Sequence, residues 1–279
     1  MTRTRILAAL LMAPVAIAAV LMLNTPWMAA VSAIVFLAAL WEWLRLSDVE
    51  DTLARSALLV LNLLLMVAIV WASATGGGSL VLLKMLAMVG VAWWLAAMLW
   101  LRHYDFASAP DARSRIVKLM AGTLAVIPAW AALCVIHASE DGGHGNRWLL
   151  LALAIVWATD TGAYFAGRRF GRRKLAPRIS PNKTVEGLMG GVAAGVLVAV
   201  AFAPLAGATV AQLPLVALVA VLTVLASVVG DLFESLLKRH AGAKDSGTLI
   251  PGHGGVLDRI DSVLAALPVF AFGKIWLGF

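Results

Sequence analysis

The sequence predicts an all-α polytopic integral membrane protein, with about nine transmembrane helices and a cytoplasmic N-terminus. Of its 279 residues, 62% are hydrophobic and 13% are charged, and the mean hydropathy is +0.93. Soluble domains carry about 45–50% apolar and about 25% charged residues, so this composition indicates a bilayer protein. The apolar runs are long and show no period-two alternation, which favours helices over barrel strands.

Nine apolar stretches reach the length of about 20 residues that a spanning helix needs. They lie near residues 5–23, 26–46, 56–74, 79–101, 116–137, 147–166, 187–207, 213–233 and 262–278. The first follows the basic start MTRTR, and its length suits an uncleaved span better than the core of a signal peptide. We predict one membrane domain over 1–279, because no linker separates soluble parts. Residues 1–150 would form a scaffold and lipid-facing part, and 151–279 the catalytic half with two long cytoplasmic loops.

Basic residues gather in every second predicted loop, and this pattern sets the expected topology. The N-terminus and the even-numbered loops hold most of the 22 Lys and Arg residues. The positive-inside rule therefore places those segments in the cytoplasm. Topology and anionic lipid headgroups account for the net charge of +7, so no nucleic-acid partner is needed. The single cysteine, Cys134, excludes disulfides within the chain and a cysteine metal site.

The eighth loop and its flanks combine carboxylates, bases and the Gly-rich run PGHGG, which is what a metal and phosphate site requires. Asp231, Glu234 and Lys238 share one helix face, and Asp258 and Asp261 are three residues apart. Folding this loop back would gather two or three carboxylates for a hard cation, and magnesium is preferred because it needs only one or two. A salt bridge between Glu234 and Lys238 is the alternative for that glutamate.

The sixth loop is a second candidate for binding phosphate. Asp160 and Thr161 lie at the end of an apolar run, where a polar pair is costly without a function. Either Ser180-Pro181 or Thr184-Val185-Glu186 can cap and begin the next helix. A helix N-terminus beside Lys183 and the Thr184 hydroxyl would make a good phosphate cradle.

Three further features have two interpretations each. Gly187, Gly191 and Gly195 lie on one face of the seventh span, where tight packing within the monomer is favoured over a homodimer contact. Glu42, in the run WEWLRL, either lines the site or extends to the interface beside Arg45. The tryptophans, including those at 41, 43, 93 and 94, are most simply interfacial anchors.

The motifs of the C-terminal half resemble those of the phosphatidate cytidylyltransferase (CDP-diacylglycerol synthase) family. The 27-residue stretch SLLKRHAGAKDSGTLIPGHGGVLDRID fills every fixed position of the family signature. The runs DTGAY and SPNKTVEG are similar to the family's upstream motif. The N-terminal half agrees only in hydropathy and in the WEW element.

The resemblance implies that CTP and phosphatidate give CDP-diacylglycerol and pyrophosphate, in contact with membrane lipids. It also implies a bacterial inner membrane, with the active site on its cytoplasmic side. It implies a magnesium ion held by Asp231, Asp258 and Asp261, and it allows a companion potassium ion. The same three acids, with Lys238 and Arg239, are the predicted catalytic residues. The predicted substrate-binding residues are Asp160, Thr161, Ser180, Lys183, Thr184, Glu186, Ser235, Lys244, Asp245, His253, Gly254, Gly255 and Arg259.

Two other classes of protein are weaker interpretations. A secondary transporter would place its ion site near the membrane midplane on broken helices, whereas these acids cluster at the cytoplasmic edge. A related enzyme that uses CTP, such as a polyprenol kinase or a cytidylyltransferase for another lipid, would share the phosphate chemistry. The position of the radiolabel taken from CTP separates the last two. A purely structural scaffold leaves the acids unexplained.

Overall fold

The computed structural model describes residues 13–75, 80–138, 144–249 and 254–279, and in these ranges nine α-helices form a bundle. One two-stranded antiparallel hairpin, β1 (Lys174–Ala176) and β2 (Ser180–Thr184), lies between α6 and α7. The helices are α1 (Ala13–Met22), α2 (Thr25–Leu46), α3 (Thr52–Thr75), α4 (Val81–Arg102), α5 (Ala112–His137), α6 (Gly145–Phe170), α7 (Val185–Phe202), α8 (Leu213–His240) and α9 (Leu257–Leu277).

The predicted fold class is confirmed, because α2 to α9 are each long and apolar enough to cross a membrane. They coincide with the eight predicted spans from 26–46 onward. The first predicted span, 5–23, starts outside the described residues, which contain only its second part as α1. Helix α6 runs to Phe170 and α8 to His240, beyond the predicted ends at 166 and 233. Hydropathy marks the bilayer, but a helix continues past it while its backbone hydrogen bonds persist.

Helices α5 and α9 are the most buried of the bundle, and each contains a proline. Gly90 of α4 lies against both, since an added Cβ would be 2.7 Å from Pro128 Cβ and 2.9 Å from Pro268 Cβ. Pro268 cannot donate to the carbonyl four residues earlier, which is that of Leu264. The indole Nε1 of Trp94 donates to this carbonyl over 3.0 Å, so the acceptor freed by the proline is satisfied within the core.

Small residues bring α6 and α7 together. Gly187, Gly191 and Gly195 are all buried on one face of α7, as the spacing predicted. On α6, a Cβ at Gly162 would lie 2.5 Å from Ala194 Cβ, and one at Gly190 of α7 would clash with Ala166. The favoured interpretation, close packing within the monomer, is therefore confirmed.

The loops 47–51, 103–111 and 171–184 meet residues 241–249 and 254–256 at one end of the bundle, which we call the polar end. Four contacts join these loops to one another and to the adjoining helix ends: Lys118 Nζ to Asp48 Oδ2 at 3.0 Å, Arg178 to Asp105 Oδ1 at 3.3 Å, His240 Nε2 to the Tyr104 carbonyl at 2.7 Å, and Arg45 to the Ser246 carbonyl at 2.7 Å. These are the loops that the charge pattern grouped on one side of the membrane.

Candidate active site

A cavity of about 710 Å³ opens at the polar end, between α6, the hairpin, α7, α8 and the start of α9. Its walls combine charged and hydroxyl groups with apolar side chains, so it suits a ligand that is polar at one end and apolar at the other. The lining residues are Thr159, Asp160, Ala163, Tyr164, Gly167, Arg168, Leu175, Ser180, Asn182, Lys183, Thr184, Gly187, Leu188, Val228, Asp231 and Ser262.

Three charged side chains from different elements meet in this cavity. Lys183 of β2 forms an ion pair with Asp231 Oδ2 of α8, and both side chains keep about a quarter of their surface accessible. Asp160 of α6 repels Asp231 and attracts Lys183. The structure therefore brings Asp160 and Lys183 of the predicted sixth loop together with Asp231, which flanks the eighth. An accessible ammonium between two carboxylates is a polar centre that a phosphate or a cation could enter.

The hairpin and the cap of α7 hold Lys183 in place. Thr184 Oγ1 accepts a hydrogen bond from the Gly187 amide over 3.0 Å, so Thr184 is the N-cap of α7. Of the two predicted helix starts, Thr184-Val185-Glu186 is confirmed and Ser180-Pro181 is wrong, because Ser180–Thr184 forms β2. Pairing with β1 gives the backbone groups of this segment hydrogen-bond partners, which an extra helical turn containing proline would supply less well.

Glu186 lies in the first turn of α7 and ties the loop after α6 to that helix. Its carboxylate accepts from the backbone amides of Arg172 and Arg173, at 3.0 and 3.1 Å, and from Arg173 Nε at 3.1 Å. It does not line the cavity. The contacts show an organising role for Glu186, and its contact with substrate stays a prediction.

A second charged cluster lies one helical turn further along α8. Lys238 Nζ is 2.5 Å from Glu234 Oε2 and 2.8 Å from Asp258 Oδ1. All three side chains are largely buried: Glu234 is 2% exposed, Asp258 9% and Lys238 13%. The salt bridge from Glu234 to Lys238, which the sequence offered as the alternative to a ligand role, is thus present.

Asp258 also organises the loop that precedes α9. Its Oδ2 accepts from the amides of Ser246, at 3.0 Å, and Gly255, at 2.8 Å. Gly254 has a φ of +83°, and a Cβ there would lie 2.8 Å from Asp258 Oδ2. A side chain at Gly254 would therefore be strained and crowded, which accounts for the glycine.

Sequence reasoning missed the contacts that anchor this loop. Ser246 is fully buried, and its hydroxyl donates to Glu42 Oε2 over 2.9 Å. The Leu257 amide donates to the same oxygen over 2.9 Å, and Arg45 donates to the Ser246 carbonyl. The sequence allowed two interpretations of Glu42 and did not decide between them. Glu42 and Arg45 both contact Ser246, which is about 200 residues away in the chain, so no local sequence pattern indicates either contact.

The two clusters adjoin each other through α8 and α9. Asp231 and Glu234 are three residues apart on α8, as Asp258 and Asp261 are on α9, so each helix contributes to both clusters. A Cβ at Gly230 would clash with the Asp261 carbonyl, which shows how closely the helices approach. Asp261 interacts electrostatically with both Asp231 and Glu234, and Ser262 beside it lines the cavity. The polar end therefore holds one continuous charged region.

The remaining predicted residues lie around this region with varied contacts. Ser235 donates to Asp231 Oδ1 over 3.4 Å, whereas the Thr161 hydroxyl is turned to the Trp157 carbonyl of its own helix. Arg239 Nε donates to the Ile179 carbonyl of the hairpin over 3.3 Å. Three charged residues of the signature are exposed: Lys244 and Asp245 in the loop after α8, and Arg259 in the first turn of α9. His253 lies outside the described residues.

The predicted metal ligands are not gathered into one three-carboxylate group. Among the described residues, no set of three or more His, Cys, Asp or Glu side chains is arranged to hold a metal ion. Both oxygens of Asp258 are engaged by Lys238 and two amides, so this residue fits a metal poorly in this conformation. Asp231 and Asp160, which both line the cavity, fit an ion that needs only one or two carboxylates.

Fold and site together define a polytopic membrane protein with a cavity of charged and apolar side chains at its polar end. Comparison with known proteins agrees with this class. The model of the cytidylyltransferase family matches residues 3–275, which is almost the whole chain. The chain therefore belongs to the cytidylyltransferase family, and the resemblance seen in its sequence motifs is confirmed.

Named relatives extend over the same length. The chain is 40% identical over 273 residues to a phosphatidate cytidylyltransferase of Pseudomonas aeruginosa, covering 97% of this chain and 96% of that protein. It is 34% identical over 284 residues to a phosphatidate cytidylyltransferase of Haemophilus influenzae, covering 98% of each. A phosphatidate cytidylyltransferase of Bacillus subtilis is 45% identical over 129 residues, about half of each chain.

Proposed function

We propose that this protein transfers the cytidylyl group of CTP to phosphatidate and releases pyrophosphate, forming CDP-diacylglycerol for phospholipid synthesis. The observation that carries the proposal is the charged region at the polar end, where Lys183, Asp231 and Asp160 line a partly apolar cavity beside the pair of Lys238 and Asp258. The two relatives that this chain matches over almost their full length are named for that reaction.

The chemistry of the reaction accounts for the types of residue present. An oxygen of the phosphatidate phosphate forms a bond to the α-phosphorus of CTP, and the bond from that phosphorus to the bridging oxygen of the β-phosphate breaks. The electron pair leaves with pyrophosphate. The nucleophile is already ionised, so no residue has to remove a proton from it. What the protein must supply is cationic charge that brings two polyanions together and stabilises the leaving group.

The cavity suits phosphatidate in particular. Lys183 and Arg168 present cationic groups to it, and the apolar side chains of Leu175, Leu188 and Val228 form part of the wall. A lipid phosphate could pair with Lys183 while its glycerol backbone contacts the apolar wall and its acyl chains stay in the bilayer. CTP would then bind towards Lys238, Arg239 and the residues 241–249 that follow α8.

We propose magnesium as the cofactor, with Asp231 as its principal ligand. Asp231 is accessible in the cavity, where Asp160 is a second carboxylate and Asp261 lies close behind. A bound magnesium ion would neutralise phosphate charge and take its remaining ligands from water and substrate oxygens. Lys183 would exchange its bond to Asp231 for one to a phosphate. Asp258 stays a predicted ligand, and a companion potassium ion stays an alternative.

The proposed location is the bacterial inner membrane, with the polar end in the cytoplasm. The basic loops all lie at this end, as the positive-inside rule requires of a cytoplasmic face. CTP is a cytoplasmic nucleotide, so a site at this end has access to it. Phosphatidate would reach the same site from within the bilayer.

The test is transfer of label from CTP to lipid by the purified protein. Protein in detergent is incubated with phosphatidate, magnesium and CTP carrying ³²P in either the α or the γ position. We expect α-label in chloroform-soluble CDP-diacylglycerol, none from γ-label, and loss of transfer on addition of EDTA. Transfer of γ-label would instead show a lipid kinase, and no transfer with either label would refute a lipid as acceptor.

A further inference from the structure

We propose that Glu42, in the N-terminal half of the chain, is a positioning residue that holds the loop before α9, at residues 244–249 and 254–256, in its active conformation. This inference rests on the proposed function for its kinetic readout. Glu42 is only 2% exposed, although it is a carboxylate near the end of a helix whose other buried residues are apolar except Ser32. Placing such a group where water is excluded is unfavourable unless its hydrogen bonds serve a purpose.

The contacts of Glu42 all lead to this loop. Its Oε2 accepts from Ser246 Oγ and from the Leu257 amide, each over 2.9 Å. These two donors lie on either side of the loop, 204 and 215 residues from Glu42 in sequence. One carboxylate oxygen therefore fixes the start of the loop against the start of α9.

The glycines of the loop match the shape of this carboxylate. A Cβ at Gly247 would clash with Glu42 Oε1, and one at Gly255 would clash with Glu42 Oε2 and Ser246 Oγ. The backbone of the loop thus closes around Glu42 on two sides. Glu42 Oε1 has no hydrogen-bond partner among the described residues, so fold stability alone gives little reason for a carboxylate here.

Ser246 connects Glu42 to the charged region through its hydrogen bonds with Asp258. The Ser246 amide donates to Asp258 Oδ2 over 3.0 Å, and its hydroxyl accepts from the Asp258 amide over 3.3 Å. Asp258 Oδ1 in turn pairs with Lys238. The chain of contacts runs from Glu42 through Ser246 and Asp258 to Lys238, so displacing Glu42 moves the groups proposed to meet CTP. Glu42 touches no reacting atom and acts only through these neighbours.

We call the two hydrogen bonds that Glu42 accepts from Ser246 and Leu257 the brace. Hydrogen–deuterium exchange of the full-length protein in nanodiscs tests the brace independently of catalysis. Replacing Glu42 by Ala removes both hydrogen bonds, and we expect the amides of Ser246 and Leu257 to exchange about tenfold faster or more. Glu42→Gln keeps an acceptor oxygen and should restore protection. Ser32→Ala is the matched control, because Ser32 is a buried polar residue of the same helix that bonds only to the Ala29 carbonyl.

Kinetics then separate positioning from general stability. We expect Glu42→Ala to lower kcat about tenfold or more with little change in KM for phosphatidate, Glu42→Gln to recover most of kcat, and Ser32→Ala to behave as wild type. If Glu42→Ala folds poorly, Ser246→Ala gives the same measurement from the other partner.

Unchanged exchange at Ser246 and Leu257 in Glu42→Ala would overturn the proposal. So would faster exchange spread equally over α5 and α9, because that is the result of lost stability. A failed Gln rescue of protection would also refute the hydrogen-bond brace. If wild-type protein transfers no label to lipid while the exchange results hold, the proposed function fails and the brace stands.

Discussion

Lys238 and Asp258 lie 20 residues apart in sequence and form an ion pair of 2.8 Å that joins the end of α8 to the start of α9. The same ammonium group is 2.5 Å from Glu234. One ammonium group thus lies between two buried carboxyl groups that belong to different helices. Lys238 is therefore important to the fold as well as to the proposed binding of CTP phosphates.

Replacing Lys238 by Met should destabilise the protein more than a surface change would. The substitution leaves Glu234 and Asp258 buried without their cation, which typically costs about 3 kcal/mol or more. We expect a clearly lower midpoint of thermal unfolding in detergent, partly restored by adding Glu234→Gln. Lys244→Met is the control, since Lys244 is an exposed cation of the loop that follows α8 and should change stability by less than about 0.5 kcal/mol. Equal effects of the two changes would contradict this account.

Hydropathy was sufficient to predict α2 to α9, because a bilayer demands a run of apolar residues from each span. It could not predict where helices end outside the bilayer, so α6 and α8 run further than expected. The prediction that the tryptophans are interfacial anchors was wrong for two of them. Trp43 and Trp94 are buried and donate to the carbonyls of Lys118 and Leu264, so the expectation of interfacial anchors is wrong for both.

The charged residues of the site could be selected from sequence, but their partners could not. The sequence predicts both Asp231 and Asp258 as metal ligands. In the structure Asp231 faces an open cavity, whereas Asp258 is enclosed by backbone amides. The contact between Glu42 and Ser246 depends on how α2 packs near α9, which no local pattern encodes. Tertiary packing decides which of several similar acids remains free to bind a ligand.

The two aspartates should respond differently to magnesium. Asp231 is accessible and is proposed as the principal ligand, so Asp231→Asn should raise the magnesium concentration for half-maximal activity about tenfold or more. Asp258→Asn should lower kcat at all magnesium concentrations by loosening the loop and Lys238. Titration of activity with magnesium at saturating substrates measures both. A shift of the midpoint with Asp258→Asn alone would transfer the ligand role to Asp258.

Lys183 should govern the affinity for the lipid substrate. Replacing it by Met removes the cation beside the apolar wall of the cavity, and loss of a charged hydrogen bond should raise KM for phosphatidate about tenfold or more. Lys174→Met is the matched control, an exposed lysine of the same hairpin that does not line the cavity. A rise in KM for CTP instead of phosphatidate would assign this cavity to the nucleotide.

The contact between α6 and α7 should not tolerate larger residues. Gly190→Ala places a Cβ against Ala166, and such overpacking usually costs about 1–3 kcal/mol. We expect a lower midpoint of thermal unfolding, with no change in oligomeric state by light scattering because the glycines pack within one chain. Met189→Ala is the control, since Met189 precedes Gly190 in α7 and its side chain is 63% exposed. Loss of a dimer on Gly190→Ala would show that this face also joins two copies.

Cysteine labelling should place the polar end in the cytoplasm. Cys134 is only 4% exposed and can be replaced by Ala, which leaves a background free of thiols. In that background Lys174→Cys introduces a thiol on the hairpin, and Val210→Cys introduces one at the opposite end, where Val210 is 81% exposed. A membrane-impermeant maleimide added to intact cells whose outer envelope is opened should label position 210 at once. It should label position 174 only after the inner membrane is permeabilised, because the basic loops are retained on the cytoplasmic side. The reverse pattern would put the cavity on the outer face, away from CTP, and the proposed function would fail with it.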